Sequence, residues 1–337
     1  MKNILVVFTG GTIGSQVVQG TIDTSKTTGR QLLQIFSTAD HASQAVNFKA
    51  IQPLEILSEN LRPSDWPLMI AAIEAEELCQ FHGIILTHGT DTLAFSAAAL
   101  GLYFNSLKIP LLLVSSDLPL ADVNANGLSN FQAAVAFIRQ FSLSGVYVPY
   151  KNFGQTLRIY RATRLLSCLP LSGDFSGVQS KSFMTYTDGR FHSQELAERP
   201  NVKPIALQAN FAARILLIKP YPGLDYRHFN LEGVDAVLHD LYHSGTACTV
   251  SGSGDFNNLL EFSQICRQRD IKVYLAPAIK TEQSYRSTQA LLAAGLHIIW
   301  NTTLEVAYVK LLLAYGNFSD PKAVSGFLEQ NIANELI

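Results

Sequence analysis

Two short polar stretches have residues that could do chemistry: Thr9-Gly10-Gly11-Thr12-Ile13-Gly14 and Thr87-His88-Gly89-Thr90-Asp91-Thr92, each following directly on an apolar run. Glycines at the end of a buried strand let the backbone come close to a ligand and let a neighbouring hydroxyl stand out toward it. In the first stretch this permits a nucleophilic Thr12 with backbone N–H groups around a reacting oxygen. It also permits a phosphate-cradling dinucleotide loop, or a plain tight turn in which Thr12 caps the next segment. The dinucleotide fingerprint wants glycine where Thr9 stands, and a second strand ending in an acid about 20 residues on. Here residues 15–29 read as a polar, loop-like run and 30–36 as helical, so that reading is disfavoured. In the second stretch Thr90 or Asp91 would pass as an ordinary N-cap, and His88 as a satisfied buried histidine. A third polar cluster, Ser58-Glu59-Asn60, follows an apolar start within 55–63.

Short apolar runs must position these loops. Residues 3–8, 83–87, 109–115 and 145–150 are rich in Ile, Leu and Val without alternation, as strands covered on both faces are. Between them 64–81, with Ser64 as N-cap and Asp65 in the first turn, 92–107 and 127–141 carry helical patterns. Strand–helix alternation predicts a parallel sheet with helices on both faces, and ligands of such sheets sit at the carboxyl ends of the strands. Two apolar segments flanking 152–155 read as a β-hairpin. The polar stretch 193–210 reads as a linker, after which strands at 213–219, 234–239, 272–276 and 297–300 alternate with helices at 255–270, 284–295 and 304–316, the last ended by Gly316. The expectation is α/β: a larger N-terminal domain over 1–192 and a smaller α/β domain over 211–337.

Composition narrows the function classes. Of 337 residues 47% are hydrophobic, only 15% are charged, and the net charge is −2, with no Lys/Arg run; nucleic acid is not an expected partner. No stretch approaches the roughly 20 apolar residues of a membrane span. The N-terminal apolar run is too short for a signal-peptide core. Cys79, Cys168, Cys248 and Cys266 form no CxxC pair, so reduced thiols and a cytoplasmic location are expected.

These motifs carry a resemblance. Thr9–Gly14 and the run THGTDTLAFSAAAL at 87–100 resemble the two signature motifs of the L-asparaginase family. PLADVNANGLSNFQAAVAF at 119–137, IYRATR at 159–164 and YPG at 221–223 resemble further family segments, and the likeness is nearest to the cytosolic type I branch. The resemblance implies hydrolysis of a side-chain amide through an acyl-enzyme, with Thr12 as nucleophile and Thr90 on the opposite side of the amide, paired to a lysine and to Asp91. It implies that Asp91 meets the substrate's α-ammonium and Ser58 its α-carboxylate, with Glu59 beside the amino group. It places Gly11 and Gly89 at the oxyanion turn. It implies a small amino-acid amide as partner, no metal or organic cofactor, and a homodimer or homotetramer.

Two family groups are replaced. Ser167 stands where the family's lysine follows the IYRATR strand end, and Thr21 falls where a loop tyrosine is expected. Neither hydroxyl carries charge or titrates near neutrality. Asn124, Asn126 and Thr246 also depart from the family pattern. Lys26, Lys151 and Lys181 are the lysines to weigh as spatial substitutes. The residues therefore point to an asparaginase-like amidohydrolase slowed by these replacements, with a catalytically silent amino-acid binder as the alternative.

Overall fold

The computed structural model describes residues 1–11, 13, 15–18, 21–24, 28–39, 45–193, 202–252 and 256–337. Two units divide the chain, Met1–Ala209 with Ile332–Asn334, and Asn210–Asn331 with Glu335–Ile337.

The first unit contains β1 (Lys2–Val7), β2 (Ser15–Val18), β3 (Thr21–Thr24), α1 (Thr28–Ala39), β4 (Val46–Ile51), α2 (Trp66–Glu74), β5 (Gly83–Thr87), α3 (Leu93–Tyr103), β6 (Pro110–Val114), α4 (Gly127–Gln140), β7 (Gly145–Tyr150), β8 (Leu157–Arg161), β9 (Met184–Thr187) and β10 (Arg190–Ser193). Its large sheet runs β10-β9-β8-β7-β6-β5-β1-β4. The strands from β4 to β7 are parallel, and β8, β9 and β10 are joined antiparallel. Ile4, Val6 and Phe8 pack with Leu32, Phe36, Phe131 and Phe137 from α1 and α4. Leu5 and Val7, which the two-residue alternation of a strand turns to the opposite face, are equally buried. Coverage of both faces explains why β1 is apolar throughout. The hairpin around 152–155 is the β7–β8 pair.

Counted along the chain, the parallel strands lie in the order 2-1-3-4-5. The order reverses beside β1, so the switch point, where such sheets open a crevice, falls between the carboxyl ends of β1 and β5. The two glycine-containing loops leave the sheet there.

Several local expectations are corrected. The run at 15–29 is not merely loop-like, because β2 and β3 pair antiparallel with Ser15 opposite Thr24. Ser64 does not cap α2: it lies in a 3-10 turn, Pro63–Asp65, and the Asp65 carboxylate accepts the Arg62 N–H at 2.7 Å. α2 ends at Glu74, well short of residue 81. β4 has a mostly exposed edge-strand pattern that gives little apolar signal. The β9–β10 hairpin turns at Asp188-Gly189, both at positive φ, which is the Asp-Gly signature of a two-residue hairpin turn. Of the expected linker, residues 194–201 lie outside the described residues. Past them the Asn105 side chain holds the backbone of Ile205 through both its N–H and its carbonyl.

The second unit is a smaller α/β layer. β11 (Ile215–Ile218), β12 (Ala236–Asp240), β13 (Lys272–Ala278) and β14 (His297–Trp300) are parallel and adjacent in sequence order. α5 (Leu259–Gln268), α6 (Arg286–Ala293), α7 (Leu304–Asn317) and α8 (Pro321–Glu329) complete it. α7 runs on past Gly316, which is not its cap. A Cβ there would sit 2.1 Å from the Asn210 carbonyl oxygen, so close approach rather than termination requires the glycine. Lys310 on α7 is fully buried, paired to the equally buried Glu335 at 2.8 Å, and it donates to the carbonyls of Leu328 and Gln330. Burial pulls its ammonium below the usual lysine range, and the Glu335 carboxylate opposes that shift.

No helix among the described residues is long and apolar enough to cross a membrane. All four cysteines are free thiols.

Candidate active site

Backbone contacts bring the three polar loops together. At the end of β1 the Thr9 hydroxyl donates to the Thr87 carbonyl at 2.6 Å, tying the first loop to the end of β5. Gly10 and Gly11 follow at φ of 97° and 75°, a region that side chains with a Cβ enter only at a cost. The turn lies against residue 56: the Gly11 N–H donates to Ile56 O at 2.9 Å, and the Ile56 N–H to Thr9 O at 3.0 Å. A Cβ on Gly10 would meet Ile56 O at 2.4 Å, one on Gly11 the Gly89 nitrogen at 2.3 Å, and one on Gly89 the Ser58 Oγ at 2.4 Å. The first, second and third loops therefore touch where they carry no side chain. Ile13, buried in the core of this unit, anchors the far end of the turn. Thr12 and Gly14 lie outside the described residues.

Gly11 and Gly89 divide their roles. The Gly11 N–H donates to Ile56 O, and so shapes the turn. The Gly89 N–H makes no hydrogen bond among the described residues. His88, between strand and glycine, is buried. Its backbone N–H donates to Val114 O, and its Nδ1 lies 2.8 Å from Gly89 O, an acceptor that fixes the proton on Nδ1. Burial pushes the ring's pKa down, so it stays neutral.

Asp91 and Ser58 form the polar centre of the site. Ser58 is buried, at 4% exposure, while Asp91 and Glu59 are exposed and Thr90 is half-buried. The Ser58 hydroxyl donates to Asp91 Oδ2 at 2.8 Å, and its oxygen accepts the Asp91 N–H at 3.2 Å. Thr92 Oγ1 donates to Ser58 O at 2.9 Å. Ser58, Glu59 and Asn60 make a 3-10 turn closed by the Asn60 N–H on Leu57 O and the Leu61 N–H on Ser58 O. Asp91 makes no ion pair among the described residues, and Thr90 Oγ1 has no hydrogen-bond partner among them.

The segment after β8 returns to this edge. Leu165 bridges Gly177, the Leu166 N–H donates to Ser176 O at 3.0 Å, and the Leu169 N–H to Asp174 O at 2.9 Å. Burial raises the Cys168 thiol, and the negative charges of Asp91 and then Asp174 raise it further. Ser167, half-buried, is its chain neighbour. Asn126 is structural: it exchanges hydrogen bonds with Asp117 and donates to Lys151 O at 2.9 Å. The side chains of Lys151 and Lys181 are exposed. Lys26 lies outside the described residues, and Thr21 is placed only as the first residue of β3. Thr246, in the second unit, closes a tight turn with Tyr242. Thr9 and Thr92 were not among the expected site residues. Their partners are 78 and 34 residues away, beyond any local pattern.

Among the described residues no group of His, Cys, Asp and Glu is arranged to hold a metal ion. The arrangement puts a carboxylate and a hydroxyl side by side, against the Gly89 backbone, at the switch point of a parallel sheet.

Fold and site together define an asparaginase-type amidohydrolase architecture. Residues 3–169 match the family model for the asparaginase N-terminal domain, and this stretch belongs to the asparaginase family. It is 25% identical to L-asparaginase 1 of Escherichia coli K12, over 99% of this chain and 98% of that protein. It is 29% identical to a glutamyl-tRNA(Gln) amidotransferase subunit of Methanococcus maripaludis, over 100% of this chain and 81% of that one. Among solved structures, the thermostable L-asparaginase from Thermococcus kodakarensis superposes with a TM-score of 0.80 at 25% identity, covering 99% of each chain.

Proposed function

We propose that this chain releases ammonia from the side-chain amide of L-asparagine or a related small amide, with Thr12 as the nucleophile. The observation that carries the reading is the Ser58–Asp91 pair, fixed against glycine backbones at the switch point. Asp91 matches an α-ammonium and Ser58 an α-carboxylate, which leaves the amide to the Thr12 turn. Attack by the Thr12 oxygen on the amide carbon forms an ester. The proton given up by the Thr12 hydroxyl goes to the amide nitrogen, which leaves as ammonia. Water then cleaves the ester to a carboxylate and restores the hydroxyl, so the sum is amide plus water to acid plus ammonia. Developing negative charge on the carbonyl oxygen is stabilised by backbone donors, of which Gly89 is the candidate.

Turnover is expected to be slow. Losing one positioned acid–base group typically costs about 10²–10⁴ in rate, and Ser167 and Thr21 replace two. Ser167 and Thr21, in place of the lysine and tyrosine that the resemblance leads one to expect, support a second reading, a silent member that binds a small amino acid without hydrolysing it. Ammonia-release assays with L-asparagine, L-glutamine and related amides separate the two. No release from any amide, with calorimetric binding of L-aspartate intact, selects the silent binder.

Two variants sharpen this. Asp91→Asn removes the charge that faces the α-ammonium and is expected to weaken L-aspartate binding by about tenfold or more. Unchanged binding in the titration would remove Asp91 from this role. Ser167→Lys puts a cation on the segment beside Asp91, where it eases loss of a proton from a neighbouring hydroxyl. Ammonia release should rise about tenfold or more. A folded variant with no gain would mean that restoring the lysine does not restore the chemistry.

A further inference from the structure

Thr92 occupies the N-cap position of α3, where a threonine oxygen ordinarily accepts an N–H from the first helical turn. It makes no such cap bond. Its hydroxyl is spent on Ser58 O instead, at 2.9 Å. That carbonyl also accepts the Leu61 N–H at 3.1 Å, so both of its lone pairs are engaged and the Ser58 peptide plane is fixed. The Ser58 side chain is fixed as well, by the Asp91 carboxylate at 2.8 Å and the Asp91 N–H at 3.2 Å. On its remaining side the Gly89 backbone leaves no slack: a Cβ added there would lie 2.4 Å from Ser58 Oγ.

We propose that Thr92 is a positioning residue of this site: by holding the Ser58 carbonyl it sets the separation between the Ser58 hydroxyl and the Asp91 carboxylate. This rests on the reading that those two groups hold the amino-acid head of the ligand. The consequence is a residue that acts on binding rather than on bond breaking, since its hydroxyl bond goes to Ser58 O.

The test compares Thr92→Val, which keeps the shape and removes the donor, with Thr92→Ser, which keeps the donor. Three quantities are measured: KM and kcat for ammonia release, calorimetric Kd for L-aspartate, and hydrogen exchange at the Asn60 and Leu61 amides that close the Ser58 turn. Thr92→Val should raise KM and Kd about five- to tenfold, leave kcat within about twofold, and speed exchange at both amides. Thr92→Ser should stay near wild type in all three. Unchanged exchange and Kd in Thr92→Val, or equal damage in Thr92→Ser, would overturn the proposal. If Thr92→Val does not fold, Thr92→Ala serves in its place. If the wild type neither binds L-aspartate nor releases ammonia, the functional reading fails, and the exchange comparison alone decides whether Thr92 holds Ser58.

Discussion

Thr12→Ala is expected to reduce ammonia release to background, a loss of about three orders of magnitude or more, while binding of L-aspartate stays close to wild type. Both halves follow from how the site is built. Among the described residues the bonds that set the glycine turn are Gly11 N–H to Ile56 O, Ile56 N–H to Thr9 O, and the Thr9 hydroxyl to Thr87 O. Removing the Thr12 oxygen therefore takes away the attacking atom and leaves the frame. The Ser58–Asp91 pair lies outside the deleted group, so the amino-acid head keeps its partners. A coupled ammonia assay and a calorimetric titration on the same preparation read the two halves separately. Release at the wild-type rate would exclude Thr12 as nucleophile, and joint loss of release and binding would show that its side chain also supports the ligand.

The largest effect on stability is expected in the second unit. Glu335→Ala leaves the Lys310 ammonium, fully buried, with only the carbonyls of Leu328 and Gln330. Breaking a buried pair by removing one partner costs about 3–5 kcal/mol, equivalent to a fall in melting temperature of about 10 °C or more for a unit of this size. Converting both partners, Lys310→Met with Glu335→Leu, should recover much of the loss, because the desolvation cost disappears with the charges. The exposed Lys49–Glu76 pair at 2.6 Å gives the contrast: Lys49→Ala should shift the melting temperature little, since exposed pairs contribute about 0–1 kcal/mol. Differential scanning calorimetry on the four proteins decides it. A Glu335→Ala protein that melts with the wild type would mean that the pair contributes no net stability.

How far the sequence discloses this molecule depends on the range of each interaction. The central strands are legible because coverage on both faces makes them apolar at every position, as in the stretch from Ile4 to Val7. The three polar loops are legible because glycine and threonine at strand ends are uncommon and local. An edge strand such as β4, half exposed and carrying Asn47 and Lys49, does not stand out from a loop. The Asp188-Gly189 turn was a readable hairpin signal, and β9 and β10 follow from it. Ser64 and Gly316 show two ways a local rule is overruled: a 3-10 turn displaced the first, and the packing of Asn210 explains the second without a cap. The hydrogen bond from Thr92 to Ser58 and the pairing of Lys310 with Glu335 leave no periodic mark, because each joins residues that only the fold makes neighbours.

Contact between the glycine backbones divides the site into a part that tolerates substitution and a part that does not. Glu59 is exposed and Thr90 half-buried, so exchange of either side chain disturbs the loops less. Gly10, Gly11 and Gly89 cannot be exchanged so, since each is fitted against the main chain or side chain of another loop, and a single added carbon would require two loops to part together. Chemistry at the rim can therefore drift, in substrate or in rate, while the cradle retains its dimensions. The resemblance leads one to expect a lysine at Ser167 and a tyrosine at Thr21, and the glycine contacts are in place without them. For engineering, the efficient library is one that varies the rim and leaves these three glycines constant.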